Sequence, residues 1–211
     1  MVGDRLWAFC AEVTMIEACA KLCLESYGPG GQDWYDVDDL RYGVHWHRDS
    51  TIIVIRGTAN AENWLRDARF WPKKSCGGHL AHGGFVDAFR KLCAGGMPTV
   101  KSGNLVVTGH SLGGAVATLL AEHVGCKLIT FGSPRVYWRF SWAPQLDHTR
   151  VVRDDDPVPC VPAIMYSHRC DPLTLSDGDG QLLQIEDHFM AGYIKALEVQ
   201  NGFLAEDRGI F

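Results

Sequence analysis

Ser111 stands in Thr108-Gly-His-Ser-Leu-Gly-Gly114, with a glycine two positions before it and another two after. The residues upstream, Asn104 to Thr108, are short and apolar, and those downstream are rich in Ala and Leu as far as about Val124. That order reads as strand, sharp turn, helix. A serine at the apex of such a turn has its Oγ lifted clear of the sheet, and the flanking glycines let strand and helix approach closely. The amides of the following helix would face negative charge developing at Ser111. Serine is a weak nucleophile at neutral pH and needs an imidazole to take its proton, with a carboxylate to orient that imidazole. Asp156, before the rigid Pro157-Val-Pro159, and His188, at the start of a late helical pattern, come after Ser111 in the order acid then base. The three define a candidate acyl-transfer site.

Composition bounds the setting. The chain has 211 residues, enough for one domain with its own core, and its 46% apolar and 21% charged residues suit a globular protein. A net charge of -5 and the lack of a Lys/Arg cluster argue against a nucleic-acid partner. The first apolar run is interrupted by Glu12 and Glu17, which reads as no signal-peptide core, and no stretch has the length of a membrane span. The expectation is therefore a cytoplasmic protein with its eight cysteines mostly reduced.

Around Ser111 the chain supplies a scaffold of helices and strands. Trp7 to Tyr27 carries Val13, Ile16, Ala20, Cys23, Leu24 and Tyr27 at helical spacing, with Glu17, Lys21 and Glu25 on another face; Gly28-Pro-Gly-Gly31 ends this amphipathic helix. Arg41 to His47 alternates as a strand, with His45 and His47 expected on its wetter face. It pairs as a hairpin with Thr51-Ile-Ile-Val-Ile55, an apolar run suited to burial on both faces. Ala59 to Pro72, with Trp64, Leu65, Phe70 and Trp71, reads either as a short helix over the core or as a mobile apolar cover that grips a greasy substrate. Lys73 to Gly78 reads as a polar loop and Gly83 to Ala94 as a helix. Lys127 to Phe131 and Arg150 to Arg153 are further strands, Tyr166 to Cys170 and Gln181 to Ile185 a late hairpin, and Asp187 the cap of a last helix reaching about Gln200.

Several segments resemble the class 3 lipases, the fungal-type triacylglycerol lipase family. Ile53-Val-Ile-Arg-Gly-Thr58 is similar to the family's strand and oxyanion turn, Asn63-Trp-Leu65 with Asp67 to the segment beyond, and His82-Gly-Gly-Phe85 to its His-x-Gly-Phe motif. Thr108 to Ala115 resembles the nucleophile elbow, Thr130 to Arg135 the strand end after it, Asp155-Asp-Pro-Val-Pro159 the acid motif, and Asp187-His188 with Tyr193 the late base motif. The matches run in family order from about residue 51 to 193. The resemblance implies a single α/β-hydrolase domain over residues 1–211, with a mostly parallel central sheet flanked by helices. It implies Ser111 as nucleophile, Asp156 as orienting acid, His188 as base, and the backbone N–H groups of Thr58 and Leu112 as an oxyanion hole. Trp64 and Leu65 would line the substrate or form a lid.

The expected activity is hydrolysis of carboxylic esters, lipid or acyl-glycerol esters among them, with an ester or lipid interface as partner and neither cofactor nor metal. An acyltransferase with the same triad, or a lipid-binding module without turnover, are the alternatives. His168 is a rival base, His110 is expected to pack or hydrogen-bond within the elbow, and Cys76, His79 and His82 lack a second ligand pair for zinc. Asp155 replaces the family's usual Asn beside the acid, a change that could shift the acid's titration. Cys160 and Cys170 would pair only in an exported protein.

Overall fold

The computed structural model describes residues 2–29, 31–57, 71–97, 104–176 and 188–206, with side chains described from residue 12 to residue 200 within those ranges. Thr58, Trp64, Leu65, Asp187 and the segment 181–185 lie outside them. A seven-stranded sheet runs through the centre. Its strands are β1 (Trp34–Val37), β2 (Leu40–His47), β3 (Ser50–Ile55), β6 (Asn104–His110), β7 (Lys127–Phe131), β9 (His148–Arg153) and β11 (Pro172–Leu175), in the spatial order β1-β2-β3-β6-β7-β9-β11. β1, β2 and β3 pair antiparallel, while every pairing from β3 through β6, β7 and β9 to β11 is parallel. A smaller antiparallel sheet takes β4 (Pro72–Lys74), β5 (Leu80–His82), β8 (Tyr137–Trp138) and β10 (Tyr166–Ser167) in the order β10-β8-β5-β4.

The apolar run of β3 explains the layering. Its side chains alternate between faces, so Ile52 and Val54 enter one core and Ile53 and Ile55 the other. Each fully buried aliphatic side chain of this kind contributes about 1.5–3 kcal/mol. One face is covered by α1 (Val2–Glu25) and α4 (Met190–Glu206), through Ile16, Cys19, Cys23, Tyr193 and Ala196. The other is covered by α2 (Gly83–Ala94) and α3 (Leu112–Val124), through Phe85, Phe89, Val116 and Leu120. This is the mostly parallel sheet flanked by helices that the resemblance implies. Because β3, β6 and β7 are parallel neighbours, their C-terminal ends lie side by side along one edge of the sheet.

Several sequence expectations are corrected. Leu24 is 42% exposed while Cys19 is buried, so the inward stripe of α1 is Ile16, Cys19, Ala20 and Cys23. On β2 the histidines do not form the wetter face: Trp46 is 74% exposed, whereas His45 and His47 are half-buried and His45 packs against the Trp34 ring at 4.8 Å. The sheet's period of two carries no sign for which face is wet when both faces hold aromatic and imidazole rings. Tyr166–Ser167 pairs with Tyr137–Trp138, a pairing the sequence did not suggest, and the expected hairpin partner at 181–185 lies outside the described residues. Lys73 and Lys74, at the start of the expected polar loop, belong to strand β4. β1, β5, β8 and β11 have no counterpart among the sequence expectations, being two to four residues long and too short for a periodic signal.

Candidate active site

Ser111 sits between β6 and α3 at φ 60° and ψ -131°, a left-handed backbone that a non-glycine residue adopts only when its surroundings hold it. The Ser111 N–H donates to Phe131 O at 3.0 Å, pinning the turn to the end of β7. The glycine after the serine is required by contact. A Cβ on Gly113 would run into the Ile55 carbonyl oxygen and the peptide joining Arg56 to Gly57, so only glycine lets α3 start against the end of β3. Ser111 is 1% exposed, and its Oγ has no hydrogen-bond partner among the described residues. Leu112 is the first residue of α3, so its amide belongs to the helix's unsatisfied N-terminal set beside Ser111.

Asp156 comes after β9 and is fixed by three donors. The N–H of Val158 donates to Oδ1 at 2.8 Å, the Tyr193 hydroxyl to Oδ2 at 2.6 Å, and His188 Nδ1 to Oδ2 at 2.8 Å. With its Nδ1 proton directed at the carboxylate, neutral His188 carries its lone pair on Nε2. That nitrogen is buried and, among the described residues, without a partner, like Ser111 Oγ. The two atoms make no hydrogen bond to each other. Tyr193, from the first turns of α4, is fully buried, and burial together with the Asp156 charge pushes its hydroxyl well above its usual range. It therefore donates to the acid without competing for its role. The late base motif contained Tyr193, but only the structure brings its hydroxyl to Asp156.

Asp155 is buried with Arg153, whose Nη2 donates to Oδ2 at 2.9 Å. Its charge is thus matched from the strand end that precedes it. The rival base His168 is held elsewhere: its Nε2 donates to Pro159 O at 2.8 Å, and burial and the Arg150 charge lower its pKa to about 4. His110 has its own set of partners, with Nδ1 2.8 Å from the Tyr27 hydroxyl and Nε2 2.6 Å from His188 O. His79 Nδ1 bonds Glu122 Oε1 at 2.8 Å, His82 packs on Phe85 and Tyr166, and Cys76 is exposed. Cys160 and Cys170 are both free thiols, with Cys170 Sγ 3.4 Å from His148 Nδ1. Thr58, Trp64 and Leu65, expected to complete the oxyanion hole and the substrate cover, fall outside the described residues.

A strained serine between a parallel strand and a helix, with a carboxylate-bound imidazole behind it, defines the α/β-hydrolase class. The family pattern described as lipase (class 3) matches residues 52–166, and the chain belongs to that family. It is 35% identical over 141 residues to a secreted mono- and diacylglycerol lipase of Fusarium solani, covering 58% of this chain and 42% of that one. It is 30% identical over 194 residues to a secreted mono- and diacylglycerol lipase of Penicillium cyclopium, covering 79% of this chain and 60% of the relative. The chain thus spans roughly half the length of these curated relatives. Among solved structures, the Rhizomucor miehei lipase propeptide complex superposes with a TM-score of 0.64 at 22% identity, covering 89% of this chain and 76% of that one. A triacylglycerol lipase whose catalytic centre is described as a serine protease triad gives 0.63 at 22% identity, covering 84% and 93%.

The relatives correct the cytoplasmic placement. The Fusarium solani protein and both Penicillium proteins are named as secreted. Charges at Glu12 and Glu17 describe only the residues present, and a chain spanning part of its relatives' length carries no information on export in its first residues.

Proposed function

We propose that this chain hydrolyses carboxylic esters of lipids, acyl-glycerols in particular, through an acyl-Ser111 intermediate. The observation that carries the reading is the occurrence together of a strained Ser111 and a His188 whose Nδ1 is committed to Asp156, with Ser111 Oγ and His188 Nε2 both unbonded among the described residues. Ser111 Oγ attacks the ester carbonyl while His188 Nε2 takes its proton, and Asp156 stabilises the resulting imidazolium. The carbonyl oxygen becomes an oxyanion facing the Leu112 amide and the N-terminus of α3, with Thr58 as the second donor. Collapse expels the alcohol, which takes the proton from His188. Water then loses a proton to His188 and attacks the acyl-serine, releasing the acid and restoring Ser111. All of this chemistry is supplied by the chain's own groups, and residues 1–211 act as one hydrolase domain.

Acyl-glycerols are favoured because the relatives matched over most of this chain are named mono- and diacylglycerol lipases. The test is the initial rate on a p-nitrophenyl ester series and on monoacyl- and diacylglycerol, for wild type and Ser111→Ala. Turnover of wild type with a fall of at least about 10³-fold in Ser111→Ala is expected. Equal rates for the two proteins would defeat the proposal.

A further inference from the structure

His110 precedes the nucleophile, yet its side chain reaches the base. Its Nε2 lies 2.6 Å from the carbonyl oxygen of His188, a group that can only accept, so Nε2 carries the ring proton. Nδ1 is then an acceptor, and the Tyr27 hydroxyl 2.8 Å away must donate to it. The two protons have one consistent direction: Tyr27 O–H to His110, His110 N–H to His188 C=O. The His110 ring also packs on the His188 ring, with centroids 4.5 Å apart and planes 30° from parallel. Gly57 packs closely against both Tyr27 and His110. A Cβ there would press on the Tyr27 hydroxyl and the His110 carbonyl oxygen, both 2.7 Å away, and close the space the relay occupies.

We propose that His110 is a positioning residue for the base, holding the His188 backbone in register with Ser111 through a one-directional brace anchored by Tyr27. The proposal rests on the serine hydrolase reading above and adds what aligns its two reacting atoms. Ser111 Oγ and His188 Nε2 do not bond each other, so nothing between them sets their separation. Asp156 holds the His188 side chain at Nδ1. His110 supplies the second point of attachment, and because it is joined by a peptide bond to Ser111, nucleophile and base move as one unit. Burial, then the neighbouring His188, depresses the His110 pKa well below its usual range. A neutral ring can sit against His188 while that residue becomes positive during catalysis, without opposing the charge.

The test compares His110→Leu, His110→Gln and Tyr27→Phe in the full chain. Each is read by kcat and KM on a soluble p-nitrophenyl ester, and by the far-downfield proton resonance of His188 Nδ1–H. His110→Leu is expected to lower kcat about 10- to 100-fold with KM nearly unchanged, since misplacement of the order of 1 Å costs about that much. The downfield resonance should broaden or disappear. His110→Gln, whose amide nitrogen can donate to His188 O while its oxygen accepts from Tyr27, should recover most of kcat and the resonance. Tyr27→Phe should cause a smaller fall, and should add nothing in the His110→Leu background because both act through one relay.

A His110→Leu protein with wild-type kcat and an unchanged resonance would overturn the brace. So would equal losses in His110→Leu and His110→Gln, which would mark His110 as packing only. Should His110→Leu fail to fold, Tyr27→Phe, which removes one hydroxyl, decides the matter by the same two readouts. A wild type that neither turns over esters nor is labelled at Ser111 by a fluorophosphonate would sink the hydrolase reading, yet the resonance would still report on the brace.

Discussion

Asp156 accepts three hydrogen bonds inside the protein, and the weight of each donor differs. Val158 N–H is a backbone group that comes with the Pro157-Val-Pro159 turn, and His188 is the base of the proposed mechanism. Tyr193 is neither, yet its 2.6 Å bond is the shortest of the three. Its hydroxyl also accepts from Arg153 N–H at 3.3 Å, so it ties the end of β9 to the acid. Tyr193→Phe keeps the ring in the core and removes only the oxygen. It should destabilise the protein by about 1.5–3 kcal/mol, the range for a hydrogen bond to a charged group, and lower kcat without a matching change in KM. Urea unfolding alongside steady-state kinetics checks both, and a variant as stable and as active as wild type would assign the bond no importance.

Among the elements, one buried carboxylate gathers several polar groups of the small sheet against the main body. Glu122, in the last turn of α3, accepts from Ser75 Oγ at 2.6 Å and from the Tyr137 hydroxyl at 2.9 Å, and pairs with His79 at 2.8 Å. These partners come from the β4–β5 connection and from β8, so one residue joins α3 to three strands of the second layer. Glu122→Ala would leave three polar groups without their acceptor, at a cost of about 3 kcal/mol. Glu122 lies roughly 16 Å along the helix axis from Ser111, so kcat on a soluble ester should stay within about twofold of wild type. Thermal unfolding and kinetics on the same preparation separate the two effects. A large fall in kcat with no change in unfolding temperature would mean that α3 transmits strain to the elbow.

For the molecule as a whole, buried histidines set the response to acid. Burial, reinforced by the Arg150 charge, holds His148 at about 3 and His168 at about 4, against an ordinary value of 6.5. Between pH 6.5 and those values the unfolded chain binds protons that the folded chain refuses. Stability from these groups is therefore level above pH 6.5 and falls as the pH drops, by about 1.4 kcal/mol per pH unit for each histidine. His110 and His45, also lowered by burial, act with the same sign. The urea midpoint should therefore be clearly lower at pH 5 than at pH 7.5, and His168→Gln should recover part of the difference. Equal midpoints at the two pH values would show that these rings are hydrated in solution.

Much of this protein was legible in its sequence because the informative features are local. The elbow around Ser111 is a strand, a turn with two glycines and a helix in one uninterrupted stretch, and the periodicity on either side identifies it. The continuous apolar run of β3 required burial on both faces, hence helices on both sides of a parallel sheet. The order of Ser111, Asp156 and His188 came from the order of strands in such a fold. Packing in three dimensions added contacts that no spacing encodes. His110 bonds Tyr27 across 83 positions and His188 across 78, and Tyr193 finds Asp156 across 37. Which ring of β2 faces water, and the partner of the two-residue strand β10, were likewise settled by packing. Local pattern specifies which backbone a segment can adopt, whereas a hydrogen bond between distant side chains exists only once the sheet has brought their elements within reach.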